Sequence, residues 1–578
     1  MGPVDRPSTR IRHEAITMTR KMTAIALALS AGSCLAQTTI TVPDDVPTLA
    51  LALNPAVSGI AAGDTIVLRD TIAYADTFTV TTPDITIREA AGDNVVIDAF
   101  GTGSAFTVNI SSGSVTFENL TIQNGQNLGS GNNGGAINML DGDALNVIGC
   151  DFIDNTANVG GAIYAGDGDL TIESSTFTGN QATLYAGAIR SFGTSGQLVS
   201  IAGSTFADND ALNGNGGAID HAGSGASVAI SDCAFSENTC TITGAAVYIT
   251  QSDEVTVTNT DFLDNISVGT ATQDTGGLYV NAVDYAYVED CDFERNLCAG
   301  SGGGIRFNNT AGDIVDCRFV ANEASNGGAV QIVGSSARAN IYNSIFDGNS
   351  ARRPGNDSAS GAGAVMVNAS GIANIYNSLF INNTAITGGA ISSATDGEVR
   401  VYNSTFNGND ADALGGALRR LNTDAIVFAN SCVFFGNLPT NSQIAINGTG
   451  DNDEVNYSLV EGGFTGPGTG NIDGNPMFVD ASNGDYSLMP GSPCIDAGSS
   501  DRYIGGPLSD LAGNDRGQDD PDTADSGEAI IGAVIDMGAF EFNSDSGVPD
   551  CPADQNFDGM LSPTDFTAWI NNYNQGCN

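Results

Sequence analysis

Short runs of alternating apolar and polar residues recur along the chain, with apolar pairs at Leu145/Val147, Leu170/Ile172, Val199/Ile201, Val228/Ile230, Val255/Val257, Ala339/Ile341, Ala373/Ile375 and Val399/Val401. A period of two puts such side chains on one face of a β-strand and excludes a helical repeat. Each pair stands seven and five residues before a phenylalanine of an F-x-x-N unit, and these phenylalanines fall at 152, 177, 206, 235, 262, 293, 319, 346, 380, 406 and 434. The phenylalanine and the residue two before it form a second apolar set of opposite parity. The parity switch predicts a corner three residues before the phenylalanine, where Asp232, Asn259, Asp290, Asp316, Asn343, Asn377 and Asn403 stand, with Gly149 and Gly203 in the same slot. These residue types tolerate left-handed backbone.

The repeat step is about 28 residues, in the range of stacked solenoids. Between phenylalanines lies a G-G-A-I element or its variant, as at Gly134-Gly135, Gly160-Gly161, Ala186-Gly187, Gly216-Gly217, Gly276-Gly277, Gly303-Gly304 and Gly415-Gly416. Bent strands repeating at this interval predict an all-β, right-handed parallel β-helix, in which each strand pairs with its copy one coil on. The terminal asparagines of the units, Asn155 to Asn437, are expected to stack at the next corner, and the paired glycines to allow close backbone approach.

The combination G-G-A-[ILV] with F-x-x-N resembles the repeat of chlamydial polymorphic outer membrane proteins, over about Gly134 to Asn437. Those proteins are adhesins that end in a membrane β-barrel, so the resemblance implies adhesion; the C-terminus here reads differently. The expected organisation is a signal peptide region at 1–36, an N-terminal cap and first coils at 37–133, the repeat β-helix at 134–437, closing coils and a C-terminal cap at 438–542, a linker at 543–550 and a small module at 551–578.

The N-terminal region has a basic start, an apolar run and small residues before Ala36, as a secretory signal requires, with translation starting at Met1, Met18 or Met22. Cys34 offers the alternative of a lipoprotein acceptor. Val46 to Asn54 reads as a short capping helix ahead of the strand Asp64–Leu68. The segments around Gly470–Phe478, Asp485–Gly498 and Asp536–Glu541 resemble the closing segment of bacterial β-helix proteins.

Acidic residues outnumber basic ones 67 to 19, a formal net charge of −48, which disfavours nucleic acid and anionic membranes and favours divalent cations. No later run is long enough to span a membrane. An exported or outer-surface monomer is expected. Cys150, Cys233, Cys291, Cys317 and Cys432 occupy the slot two before a phenylalanine and read as core filler, with a strained Cys291–Cys317 bridge the alternative. Cys551 and Cys577 bracket the last module and are expected to be bonded.

Asp554-Gln-Asn-Phe-Asp-Gly-Met-Leu-Ser-Pro-Thr-Asp565 has oxygen donors at the spacing of a calcium loop: Asp554, Asn556, Asp558, the Met560 carbonyl, Ser562 and Asp565. It resembles one repeat of a type I dockerin, which implies an EF-hand-like calcium module; a dockerin carries two such loops. Outward along the solenoid, the residue after each G-G-A-I forms a column of Asn138, Tyr164, Arg190, Asp220, Tyr248, Val280, Arg306, Gln331, Met366, Ser392 and Arg419. Tyr164, Arg190, Asp220, Tyr248, Arg306, Gln331 and Arg419 are the candidate glycan-binding face, on an exposed sheet, for an extracellular or cell-wall polysaccharide or a neighbouring cell surface. The plain alternative is a solvated wall crossed by an Arg190–Asp220 pair.

Ile219-Asp220-His221 resembles an element of pectate lyases, which makes a calcium-dependent polysaccharide lyase the alternative to adhesion or glycan binding. Against hydrolysis stand the absence of G-H-G and R-x-K elements and the single lysine, Lys21.

Overall fold

The computed structural model describes residues 37–542 except 71, 130, 132, 194–195, 270–273, 353–360, 447–452, 501–505 and 530–532. The signal region, the linker and the C-terminal module, with Asp554, Asn556, Asp558, Met560, Ser562, Asp565, Cys551 and Cys577, lie outside the described residues.

The chain winds as a right-handed parallel β-helix. One coil shows the plan: Ile137–Asp141, Ala144–Ile148, Asp151–Ile153 and Thr156–Val159 follow one another and belong to four different sheets. The first three sheets stack 14, 16 and 14 strands, each strand bonded to its counterpart one coil on. The register is that of the sequence slots: Leu145 pairs with Leu170, Phe152 with Phe177 and Ile137 with Ile163. The fourth sheet is shorter, in pieces of six and three strands.

Left-handed backbone turns the predicted corners. Asp232, Asn259, Asp290, Asp316, Asn343, Asn377 and Asn403 have φ between 43° and 54°. A second left-handed corner stands two residues after the phenylalanine, at Asp154, Gly179, Asp208, Glu237, Asp264, Arg295 and Ala321. This is the next corner expected at the asparagines; the left-handed residue before each of them was not foreseen, because Glu, Arg and Ala do not announce a positive φ.

Two ladders run the length of the repeat. Phe152 to Phe434 are buried, and their rings stack at 4.5–5.1 Å with interplanar angles of 15° or less. Asn155 to Asn437 are buried too. In the interior of the ladder each side-chain amide donates to the next asparagine's Oδ1 and to a phenylalanine carbonyl; Asn265 Nδ2, for example, donates to Asn296 Oδ1 at 2.9 Å and to Phe235 O at 3.0 Å. A buried amide with all its groups bonded escapes the penalty of lost hydration.

The five core-slot cysteines are free and buried, and Cys291 and Cys317 do not bridge. Cys233, Cys291, Cys317 and Cys432 hydrogen-bond nearby carbonyls through Sγ, as Cys291 does to Glu289 O. Burial pushes the Cys150 and Cys432 thiols up to about 12, so they behave as small apolar residues.

At the N-terminal end, Thr39–Val42 pairs with Thr65–Leu68, and the helical turn Leu49–Ala52 between them is capped by Thr48. At the other end the chain reverses. The hairpin of Phe478–Asp480 with Asp485–Leu488 and the segment after it, which has no strand among its described residues, fold back over the last coils: Tyr486 packs on Leu379 and Ile381, Asn377 Nδ2 donates to Ser509 O, and Ala539 N donates to Thr405 Oγ1. The fold-back is organised by buried carboxylates. Asp510 accepts amides from Ala512, Asn514 and Glu541, and Glu541 pairs with Arg516 at 3.0 Å. Among the described residues no helix is long and apolar enough to cross a membrane.

Candidate functional site

The short strands after each glycine pair carry the predicted column. Arg190 pairs with Tyr164 on one side and Asp220 on the other, and the register continues through Tyr248 and on past Arg306 to Gln331, Met366, Ser392 and Arg419. One slot is corrected: Tyr279, not Val280, lies between Tyr248 and Arg306. The element there reads Thr275-Gly276-Gly277-Leu278-Tyr279, with Thr275 in the first glycine slot and Gly277 in the alanine slot, so Leu278 takes the Ile slot and Val280 turns inward beside Ile249. Gly302-Gly303-Gly304-Ile305-Arg306 likewise puts a glycine, Gly304, in the alanine slot, with Gly302 at φ +76° as the first glycine, and the Arg306 match was legible in the sequence.

The column is not the open face expected of it. Asp220 is fully buried, and Tyr279, Arg306, Gln331 and Arg419 are buried as well, while Tyr164, Arg190 and Tyr248 are half-buried. The cause is the backbone ahead of each element, which arches over the outward residue. Gly216, at φ +65°, lies so close that a Cβ there would sit 2.8 Å from the Asp220 Cβ and 2.3 Å from Ile219 O. In the same turn a Cβ on Gly217 would meet Ala245 O at 2.1 Å. The glycine pair thus buys closeness twice, to its own coil and to the next.

Electrostatics concentrate around Arg190 and Asp220. The Arg190 guanidinium is paired with Asp220 and lies 5.5 Å from the Tyr185 ring centre and 5.9 Å from that of Phe192. Those rings are 38% and 48% exposed, so Tyr185, Arg190 and Phe192 form a surface patch above a buried carboxylate. Further along, Tyr248 stacks on Tyr279 at 5.3 Å and Arg306 lies 5.5 Å from the Tyr279 ring centre. Sequence reading missed Tyr185, Phe192 and Tyr279. Phe192 follows Arg190 by two along one strand, which the alternation rule could have signalled.

Beneath the patch, on the inward side, His221 Nδ1 shares a 2.7 Å hydrogen bond with Ser191 Oγ. Burial holds the His221 ring down at about 4, helped by the nearby Arg190 charge. Burial pushes the Asp220 carboxyl up to about 7 against the opposing pull of Arg190. The two act oppositely on stability. Asp220 keeps its proton when folded and loses it near about 3.9 when unfolded, so its contribution falls as pH rises between those values. His221 is neutral when folded and takes a proton below about 6.5 when unfolded, so its contribution rises across that lower window. Asp220→Asn removes only the first. The stability of that variant relative to the parent is expected to improve as pH rises through the Asp220 window, by urea denaturation near its two ends; a difference that stays constant or worsens contradicts the assignment.

Residues 86–262 and 187–371 match the family described as "Right handed beta helix region". The chain has the fold of a right-handed parallel β-helix, and the coil register shows its parallel stacking. Seven chains of solved structures are similar to it. One is the crystal structure of pectate lyase Pel9A, at 14% identity over 88% of this chain and 98% of that one, with a TM-score of 0.28. No curated protein matches the chain in sequence.

Proposed function

We propose that the protein is an exported adhesion or glycan-binding scaffold that holds an extracellular polysaccharide on the outside of its solenoid. The observation that carries this reading is the patch of Tyr185, Arg190 and Phe192: two exposed rings flank a guanidinium held in place by Asp220. Aromatic faces pack against sugar rings, and a fixed guanidinium offers paired donors to their oxygens. The strongly acidic surface disfavours polyuronates and favours neutral glycans. In this reading Asp554, Asn556, Asp558, Met560, Ser562 and Asp565 hold calcium, and the Cys551–Cys577 bond closes their module.

Glycan arrays with the full chain are expected to show binding to neutral polysaccharide. Tyr185→Ala, Phe192→Ala and Arg190→Ala should each weaken it about tenfold, equivalent to about 1.4 kcal/mol, while Thr256→Ala, on another sheet, leaves it unchanged. No binding, or binding indifferent to all three changes, contradicts the proposal. Release of unsaturated product from polygalacturonate with calcium, abolished by Arg190→Ala, would instead establish the lyase.

A further inference from the structure

We propose that the closing segment contains a second calcium site, formed by Asp496, Asp519 and Asp525 and distinct from the loop at residues 554–565. One carboxylate oxygen from each of the three lies within 4.8 Å of the others. Calcium bonds oxygen at about 2.3–2.6 Å, so one ion bridges oxygens up to about 5 Å apart.

Proximity of acids alone does not make a site, and Asp496 supplies the independent observation. It is 0% exposed, and its Oδ1 has no hydrogen-bond partner among the described residues. Its other oxygen accepts a 3.3 Å bond from Asp520 N. Other buried carboxylates of this segment are handled differently: Asp510, Asp536 and Glu541 have both oxygens bonded to backbone amides or to Arg516. A buried carboxylate oxygen left bare costs free energy that a cation in reach removes. Among the described residues no arginine or histidine pairs with the three acids.

The site also explains how the loop is held. From Asp515 to Gly527 the only apolar residues are Pro521 and Ala524, too little to order it by burial. Arg516 and Gly517 tie its start to Glu541, and its later part is tied to Asp496, whose carbonyl accepts from Ser526 N at 2.9 Å and Gly527 N at 3.0 Å. An ion at this point would fasten the loop to the residue that Asp536 anchors through the Asp496 amide. Oxygen-only donors suit calcium rather than a transition metal.

The test uses the full chain carrying Asp554→Ala and Asp558→Ala, stripped with chelator and titrated with calcium chloride by calorimetry. One calcium per chain is expected to remain. Adding Asp519→Asn and Asp525→Asn, both at exposed positions, should abolish that uptake while leaving the far-ultraviolet circular dichroism of the β-helix intact. In the chain that keeps both aspartates, calcium should slow hydrogen exchange at the amides of Asp520, Ser526 and Gly527 at least tenfold. No calcium taken up once the C-terminal loop is disabled, uptake undiminished by the paired change, or exchange at those amides unaltered by calcium would overturn the site.

Discussion

Phe262→Ala is expected to destabilise the solenoid by about 3–5 kcal/mol, the range for truncating a fully buried aromatic. Phe262 is 0% exposed, its ring stacked 5.1 Å from Phe235 and 4.5 Å from Phe293, so the substitution opens a cavity bounded by two rings on different coils. Stability in stacked repeats is a sum of coil terms and nearest-neighbour interface terms. The loss therefore falls on two interfaces and should appear first as faster hydrogen exchange in the coils around 235 and 293. Phe262→Leu keeps most of the apolar volume and should cost less than about 1.5 kcal/mol. Urea denaturation of the three proteins measures this; a Phe262→Ala protein within about 1 kcal/mol of the parent would mean the stack does not hold the coils.

Asn265→Ala is the second large effect, about 3–4 kcal/mol, and its cause is polar. Asn265 Oδ1 accepts from the Asn238 amide N at 3.1 Å and from Asn238 Nδ2 at 2.9 Å, and its own Nδ2 donates to Phe235 O. Truncation strands those groups in a buried corner, each at about 1–3 kcal/mol, partly relieved by water. Asn265→Asp should fare no better, since a carboxylate removes both donations and buries a charge. The same denaturation series checks it, and a loss below about 1 kcal/mol for Asn265→Ala would show that water satisfies the corner.

Both ladders were legible because a coil restates its contacts: a slot that must hold a flat apolar ring or a double donor and acceptor holds Phe or Asn eleven times. The first corner was legible for a related reason, since Asp, Asn and Gly pay least for positive φ. The second was expected at the asparagines, but its left-handed residue was not legible, because Arg295 and Ala321 adopt φ of 52° and 51° against their own preference. The wall residues were placed in the right column, Tyr279 excepted, yet their burial was unforeseen. That burial depends on backbone from the preceding segment passing overhead, which periodicity does not encode. The closing segment was the least legible part. Its contacts join residues far apart, such as Asn377 with Ser509 and Thr405 with Ala539, and nothing there repeats. Asp496, Asp519 and Asp525 therefore went unnoticed as a group.

Everything in this account requires that equivalent slots lie one above another. Thr171 and Asn374 are outward-facing residues seven coils apart on one sheet, and Asn340 is six coils from Thr171. Spin labels on cysteines placed at Thr171 and Asn374, and separately at Thr171 and Asn340, with Cys551 and Cys577 changed to serine, allow both separations to be read by double electron–electron resonance. At about 4.8 Å per coil the distances should be about 34 and 29 Å, differing by one strand spacing. Distances that do not step by one spacing would contradict the stacking.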